Sequence, residues 1–286
     1  MQRARRLGKC VDEPKFICDS LPTRNSTHPR ASERAAPCQV WSIGSAGQTC
    51  LEETVHNQAP HCDIHVFDPT VSENSHPGIA SLVRAGALRF HSWGLGSANR
   101  ATKFRSYNDV ATGGQGQGGT AMELTLFKMM ERLEVEWIDY LKIDCERCEF
   151  DALPRFVNDS LARWGRVPVT QIQVEIHVYP VTKNTSQTHL RTHSYGRFGI
   201  SDKLDPGTKR QALSGLVRPP QTNVPHSISW NRPALAMLGL LYEAGFATFH
   251  IQWNPPSFGF NGCCFAEYSL FNTRTPRHLL PGSHRM

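Results

Sequence analysis

Acids and sulfurs crowd one short stretch of the chain. Within residues 138–151, IDYLKIDCERCEFD, an apolar run stops at Asp144, Glu146, Glu149 and Asp151, with Cys145 and Cys148 between them. Carboxylates at the end of a β-branched run are what a buried strand delivers to a sheet edge, where they orient a substrate or accept a proton. Cys145-x-x-Cys148 has the spacing of a redox pair and of half a zinc site. The other half would have to come from His177 or Cys263-Cys264, far along the chain. The spacing therefore predicts buried or bridged cysteines here, and no metal.

Four further groups have types and positions suited to chemistry. Glu175 and His177 close the apolar stretch 169–178. His177 is a candidate general base, because an unperturbed imidazole titrates near neutrality. Gly44, Ser45 and Gly47 form a turn between the short apolar run 39–43 and a capping-box sequence, Thr49-Cys-Leu-Glu52. Glycines let a backbone approach a ligand closely, and helix-start N–H groups favour polar groups. Asp68-Pro69 ends the next apolar run, 24 positions after Gly44. An acid at that distance is placed to accept from ribose hydroxyls. Trp93-Gly94-Leu95 follows the end of a third such run, where an aromatic could flank an adenine ring or simply pack against the core.

These groups need elements to hold them. The pattern predicts strands at 39–43, 63–67, 87–93, 138–143, 169–178, 247–253 and 263–272. Between them it predicts helices from Thr49 to before Pro60, over 150–157 around Pro154, and over 231–244. A second capping box at Thr120-Ala-Met-Glu123 predicts a further helix, with Met122, Leu126, Met129, Met130 and Leu133 as its core stripe. The expected fold is α/β: a doubly wound, Rossmann-like seven-stranded sheet with an antiparallel last strand and helices on both faces. Three domain-level segments follow: a disordered basic leader over 1–37, a domain over 38–272 with an insertion or lid at 180–230, and a tail over 273–286. The glycine tract 112–119 reads as a linker.

Bulk properties narrow the function classes. The chain has 286 residues, 39% of them hydrophobic, enough for a sizeable core. Its net charge of +6 is concentrated in Arg3, Arg5, Arg6, Lys9 and the tail, so no nucleic-acid partner is expected. No apolar run reaches the length of a membrane span, and the N-terminus lacks a signal-like apolar segment. Nine irregularly spaced cysteines do not read as a disulfide scaffold. They leave the compartment open between a reducing cytoplasm, the default, and a secretory lumen with one or two bridges.

The order of motifs resembles the class I S-adenosylmethionine-dependent methyltransferases, and within them the methyltransferase-like group related to FkbM-type enzymes. The residues that carry the resemblance are Trp41-Ser-Ile-Gly44, His65-Val-Phe-Asp-Pro69, Phe90-His-Ser-Trp-Gly-Leu95, Leu141-Lys-Ile-Asp-Cys-Glu146 with Cys148-Glu149, Val174-Glu-Ile-His177, Cys263-Cys264 and Glu267-Tyr-Ser269. It spans about residues 38–272. Two positions depart from it: Ser42-Ile43 replaces the acid that many such enzymes carry before the first glycine, and Arg147 stands where FkbM-like chains carry glycine.

The resemblance implies an enzyme that uses S-adenosyl-L-methionine to methylate an oxygen on a small molecule or glycan. It implies that Gly44, Ser45, Gly47, Asp68, Pro69, Trp93 and Leu95 bind the cofactor, and that Asp144, His177, Glu146 and Glu175 serve the acceptor. Two alternatives stand beside it. One is a catalytically inactive binding or scaffold protein, favoured by Arg147. The other is a nicotinamide-dependent oxidoreductase, which would want Gly-x-Gly-x-x-Gly where the chain has Gly44-Ser-Ala-Gly47-Gln-Thr.

Overall fold

The computed structural model describes residues 4–7, 15–18, 21, 38–104, 119–145, 148–178, 232–254 and 264–275. Expectations for the glycine tract 112–119 (all but its last residue), the segment 180–230, Glu146 and Arg147 lie outside the described residues.

Seven strands form one sheet. The first two strands of the chain, β1 (Ala4–Leu7) and β2 (Lys15–Cys18), pair with each other in a separate antiparallel hairpin. The large sheet begins with β3 (Gln39–Ile43), followed by helix α1 (Cys50–Gln58), β4 (Asp63–Phe67), helix α2 (Pro77–Arg84) and β5 (Arg89–His91). Three short strands, β6 (Trp93–Leu95), β7 (Arg100–Lys103) and β8 (Thr120–Leu124), make a small side sheet with β8 in the middle. Helix α3 (Leu126–Leu133), β9 (Ile138–Ile143), α4 (Glu149–Trp164), β10 (Val169–Val178), α5 (Arg232–Glu243), β11 (Phe246–Asn254) and β12 (Cys264–Asn272) complete the order.

The large sheet runs β11-β12-β10-β9-β3-β4-β5. β3 pairs in parallel with both β4 and β9, and β9 in parallel with β10. β12 alone runs against its neighbours, β10 on one side and β11 on the other. The chain winds outward from β3 to β5, then returns to β9 on β3's other side. That reversal is the switch point of a doubly wound sheet, and it opens a crevice at the carboxyl ends of β3 and β9. The expected fold class is the observed one.

Strand alternation explains the two cores. Trp41, Ile43, Phe67, Leu141, Ile143, Ile172, Val174 and Ile176 face α3, α4 and α5. Val40, Ile64, Val66 and Tyr140 face the other way, against Leu51 and Val55 of α1, Leu82 and Val83 of α2, and Leu7 and Ile17 of the hairpin. The hairpin therefore roofs part of the second face where a helix would otherwise sit.

That hairpin corrects the expectation of a disordered leader over 1–37, at residues 4–7 and 15–18. Leu7, Ile17 and Cys18 are each 2% exposed. Lys15 pairs with Glu267 of β12, the backbone N–H of Cys18 donates to Gln171 at 2.8 Å, and that of Phe16 donates to Gln173 at 3.2 Å. Composition missed this because the anchoring residues are scattered singly among basic and polar ones.

Two other expectations shift. Thr120 opens β8 rather than a helix; the cap is Thr125, whose hydroxyl accepts from the N–H of Lys128 at 3.1 Å. The methionine stripe is core as expected, with Met129 and Met130 buried, but it starts one turn later. Helix α4 runs on to Trp164, through Pro154, because five of its apolar residues from Phe150 to Val157 are buried and outweigh one lost backbone bond. The disulfide Cys38–Cys62 joins the starts of β3 and β4, closing 24 positions of chain. A loop of that length contributes about 3 kcal/mol by chain entropy.

Candidate functional site at the carboxyl edge

The crevice is built by three strand ends in register. Ile43 of β3 sits level with Phe67 of β4 and Ile143 of β9. The next residue on each strand is Gly44, Asp68 and Asp144. Gly44 N–H donates to the Phe67 carbonyl at 2.9 Å, and Asp144 N–H to the Ile43 carbonyl at 3.0 Å, so the three ends stay clamped beyond the last ladder pair. Gly44 has φ +74°, and a Cβ there would lie 1.7 Å from the Asp144 carbonyl oxygen. Only glycine fits: its missing side chain lets β3 and β9 close on each other.

The turn after Gly44 closes on itself through Asp68. Asp68 Oδ2 accepts from Ser45 N at 2.9 Å and Ala46 N at 2.8 Å; Oδ1 accepts from Thr70 N at 2.8 Å and Thr70 Oγ1 at 2.6 Å. The Gly47 N–H goes to Ser45 Oγ at 3.2 Å and the Gln48 N–H to the Ser45 carbonyl at 2.8 Å. A carboxylate has about four acceptor sites. With these four bonds, a longer fifth from Ser45 Oγ at 3.3 Å and 3% exposure, Asp68 holds the turn. Direct contact with a ribose requires one of these bonds, such as that of the Thr70 hydroxyl, to be exchanged. Ala46, at φ 49°, is held left-handed without being glycine, which marks the turn as tightly determined.

A buried lysine missed by sequence reasoning organises the other side. Lys142, 6% exposed, donates to the Gly44 carbonyl and pairs with Asp144 Oδ2 at 3.1 Å. Glu52 of α1 lies behind it; burial pushes that carboxyl up, against the pull of Lys142. The signal was present. A lysine inside a largely buried strand, two positions before Asp144, shares Asp144's side by the period of two.

The remaining candidates divide. Asp144, its side chain 19% exposed, is at the crevice. Val174 pairs with Ile143, which puts Glu175 level with Asp144 on the neighbouring strand. Glu175 is 6% exposed and stands opposite Glu267 in the β10–β12 ladder. The backbone of His177 continues β10, opposite Phe265, past the end of β9; its side chain lies outside the described residues. Pro69 is half-buried. Leu95, 4% exposed, belongs to the core cluster. Trp93 is half-buried, tilted at 32° against His91 with centroids 4.7 Å apart and capped by Arg132 at 5.3 Å.

Beside this edge lies an unforeseen aromatic ladder. His65 Nδ1 and His91 Nε2 are 2.9 Å apart, with Phe67 and Trp41 against them. One proton serves the contact. Burial, then the neighbouring His91 and Arg89, bring His65 down to about 3, and burial with Arg89 brings His91 to about 4.

As a site for a charged, ribose-bearing methyl donor the edge fits in part. It has a glycine turn after β3, an acid after β4 and a part-buried acid after β9, in the order such a ligand requires. Its turn donors and Asp68, however, are engaged with each other. Among the described residues no helix is long and apolar enough to cross a membrane.

The family model described as a methyltransferase domain (Methyltransf_22) matches residues 1–202. The solved structure of N,N-8-amino-8-demethyl-D-riboflavin dimethyltransferase (RosA) from Streptomyces davawensis aligns with 83% of the chain at 14% identity and a TM-score of 0.32. The chain spans 50% of that structure's length. No curated protein sequence matches the chain.

Proposed function

The chain belongs to this methyltransferase-domain family, and from that premise we propose that it methylates an oxygen of a small molecule or glycan with S-adenosylmethionine. The observation that carries the reading is the junction of Gly44 and Asp144, adjacent residues at the switch point of the sheet. When bound, S-adenosylmethionine supplies an electrophilic sulfonium methyl. The protein's part is orientation, plus acceptance of the hydroxyl proton.

In this reading Lys142 fixes Asp144, and Asp144 orients donor and acceptor. Asp68, with Ser45 and Gly47, sets the turn against which the donor's ribose and amino-acid end lie, and Pro69 and Trp93 border it. His177, following Glu175 on the neighbouring strand, takes the acceptor's proton, and Glu146, two positions after Asp144 in the sequence, orients the acceptor. Asp144→Asn and His177→Ala should each cut turnover by at least about 100-fold, the scale of positioned acid–base catalysis, while donor affinity stays within a few-fold. Loss of donor affinity with either substitution would move that residue to the cofactor side.

A second reading, a scaffold that kept the fold without turnover, draws support from the engagement of both Asp68 oxygens within the turn. Titration calorimetry with S-adenosylmethionine followed by a turnover assay separates the two, since the inactive protein gives no turnover even where it gives saturable heat. The disulfides support an oxidising compartment for either reading.

A further inference from the structure

We propose that Cys145–Cys148 is a thiol-exchange site, opened by small thiols while the other described bridge stays closed, and that its state is read at the Gly44–Asp144 junction. The two bridges have different jobs. Cys38 and Cys62 are 4% and 7% exposed and staple neighbouring strands at the edge opposite the crevice. Cys145 and Cys148 are three positions apart and join a loop to the helix it enters, so the fold has little need of their bond. Cys145 is half-buried, which leaves its sulfur to an incoming thiolate; Cys148, 6% exposed, is sheltered and is the sulfur that leaves.

Position favours the opened form. Cys148 is the N-cap of α4, a 16-residue helix, and in the bridged state its side chain makes no capping bond. Freed as a thiolate, that sulfur sits at the helix's positive end, where thiol pKa values fall, and becomes an acceptor for first-turn N–H groups. A bridge whose reduced form is stabilised in this way is the more oxidising of two. Cys145 has a partner as well. Glu149, fully buried, places Oε2 3.8 Å from Cys145 Sγ, where the reduced thiol donates and from which its proton is taken as the bridge re-forms.

The exchange balances with a thiol as reductant. One thiolate attacks Cys145 Sγ, the Cys145–Cys148 bond breaks, and Cys148 leaves as thiolate. A second thiolate attacks the external sulfur of the mixed disulfide and releases Cys145 as thiolate. Two thiols are oxidised to one disulfide, the bridge gains two electrons, and the protons from the two thiols end on Cys145 and Cys148 or in solvent. The consequence for the crevice is direct. Asp144 precedes Cys145, its carbonyl oxygen meets the place where a Gly44 Cβ would stand at 1.7 Å, and the Cys145 Cα lies 3.4 Å from that place. A change in the loop at Cys145 is therefore felt by the turn.

The test uses the full chain equilibrated in glutathione buffers of rising [GSH]²/[GSSG], quenched with acid, alkylated and read by peptide mass spectrometry. Cys145–Cys148 should be half open at a ratio at least tenfold lower than Cys38–Cys62. Amide exchange across 44–48 should rise in the opened protein, and oxidised glutathione should reverse both changes. The proposal is overturned if the two bridges open together, if Cys145–Cys148 outlasts Cys38–Cys62, or if 44–48 is indifferent to opening. It is also overturned if the opened pair takes up one zinc ion per chain from added zinc(II) and then resists reclosure, which would make Cys145, Cys148 and Glu149 a metal site. Thiol counting needs no methyl donor, so failure here leaves the methyl-transfer reading standing, and failure of that reading leaves this result intact.

Discussion

Replacing Lys142 by methionine tests whether the lysine holds Asp144 and the Gly44 turn together. Methionine keeps most of the buried volume and removes one charge and its donors. Lys142 Nζ lies 3.1 Å from Asp144 Oδ2 and also serves the Gly44 carbonyl. At 3.1 Å, Coulomb's law with an effective dielectric of about 20 gives roughly 5 kcal/mol, and with that of water about 1 kcal/mol. The Asp144 side chain is 19% exposed, so water reaches one end of the pair and the stranded carboxylate keeps part of its hydration. A loss of about 3 kcal/mol is expected, toward the low end for breaking a buried pair. In urea, with a slope of about 3 kcal/mol/M for a chain of this size, the midpoint should fall by about 1 M. The diagnostic is the double-mutant cycle. Asp144→Asn removes the charge that Lys142 answers, so Lys142→Met combined with Asp144→Asn should cost at least about 1 kcal/mol less than the two single changes added together. Additivity within about 0.5 kcal/mol would refute the coupling.

Three further outcomes follow from the same geometry. Gly44→Ala should cost more than about 3 kcal/mol, because its Cβ meets backbone at 1.7 Å, whereas Gly86→Ala, at φ +69° with nothing near, should cost only about 1–2 kcal/mol in the same denaturation assay. Lys15→Met should destabilise by about 1.5–3 kcal/mol, since it removes one of Glu267's two buried charge-assisted bonds while Gln173 still donates to the other oxygen; a change under about 1 kcal/mol would release the N-terminus from the fold. His65 stays neutral down to about pH 3 while an unfolded histidine takes a proton near pH 6.5, so the unfolded state binds more protons as pH falls and stability is lost over that window. From about pH 7 to pH 5 the loss assigned to His65 is about 2 kcal/mol. His65→Gln should remove that slope from the Tm profile, and an unchanged profile would assign it elsewhere.

The sheet was legible because each strand carries its own signal. Short β-branched runs ending in Gly44, Asp68 and Asp144 give the order and the edge, and the chain's return from β5 to β9 places Gly44 beside Asp144. What was illegible depends on distant residues meeting. Lys15 and Glu267 are 252 positions apart, and nothing local announces a buried ion pair. The engagement of Asp68 was hidden for the opposite reason: the acid is where a ribose ligand would want it, but the sequence does not say that Ser45, Ala46 and Thr70 reach it first.

The most direct test of the account is amide hydrogen exchange on the full chain with and without saturating S-adenosylmethionine. The account predicts saturable protection in peptides spanning 44–48, 68–70 and 141–145, with the opposite ends of the same strands, near Cys38 and Asp63, unchanged. No saturable protection, or protection confined to segments away from the carboxyl edge, would contradict it.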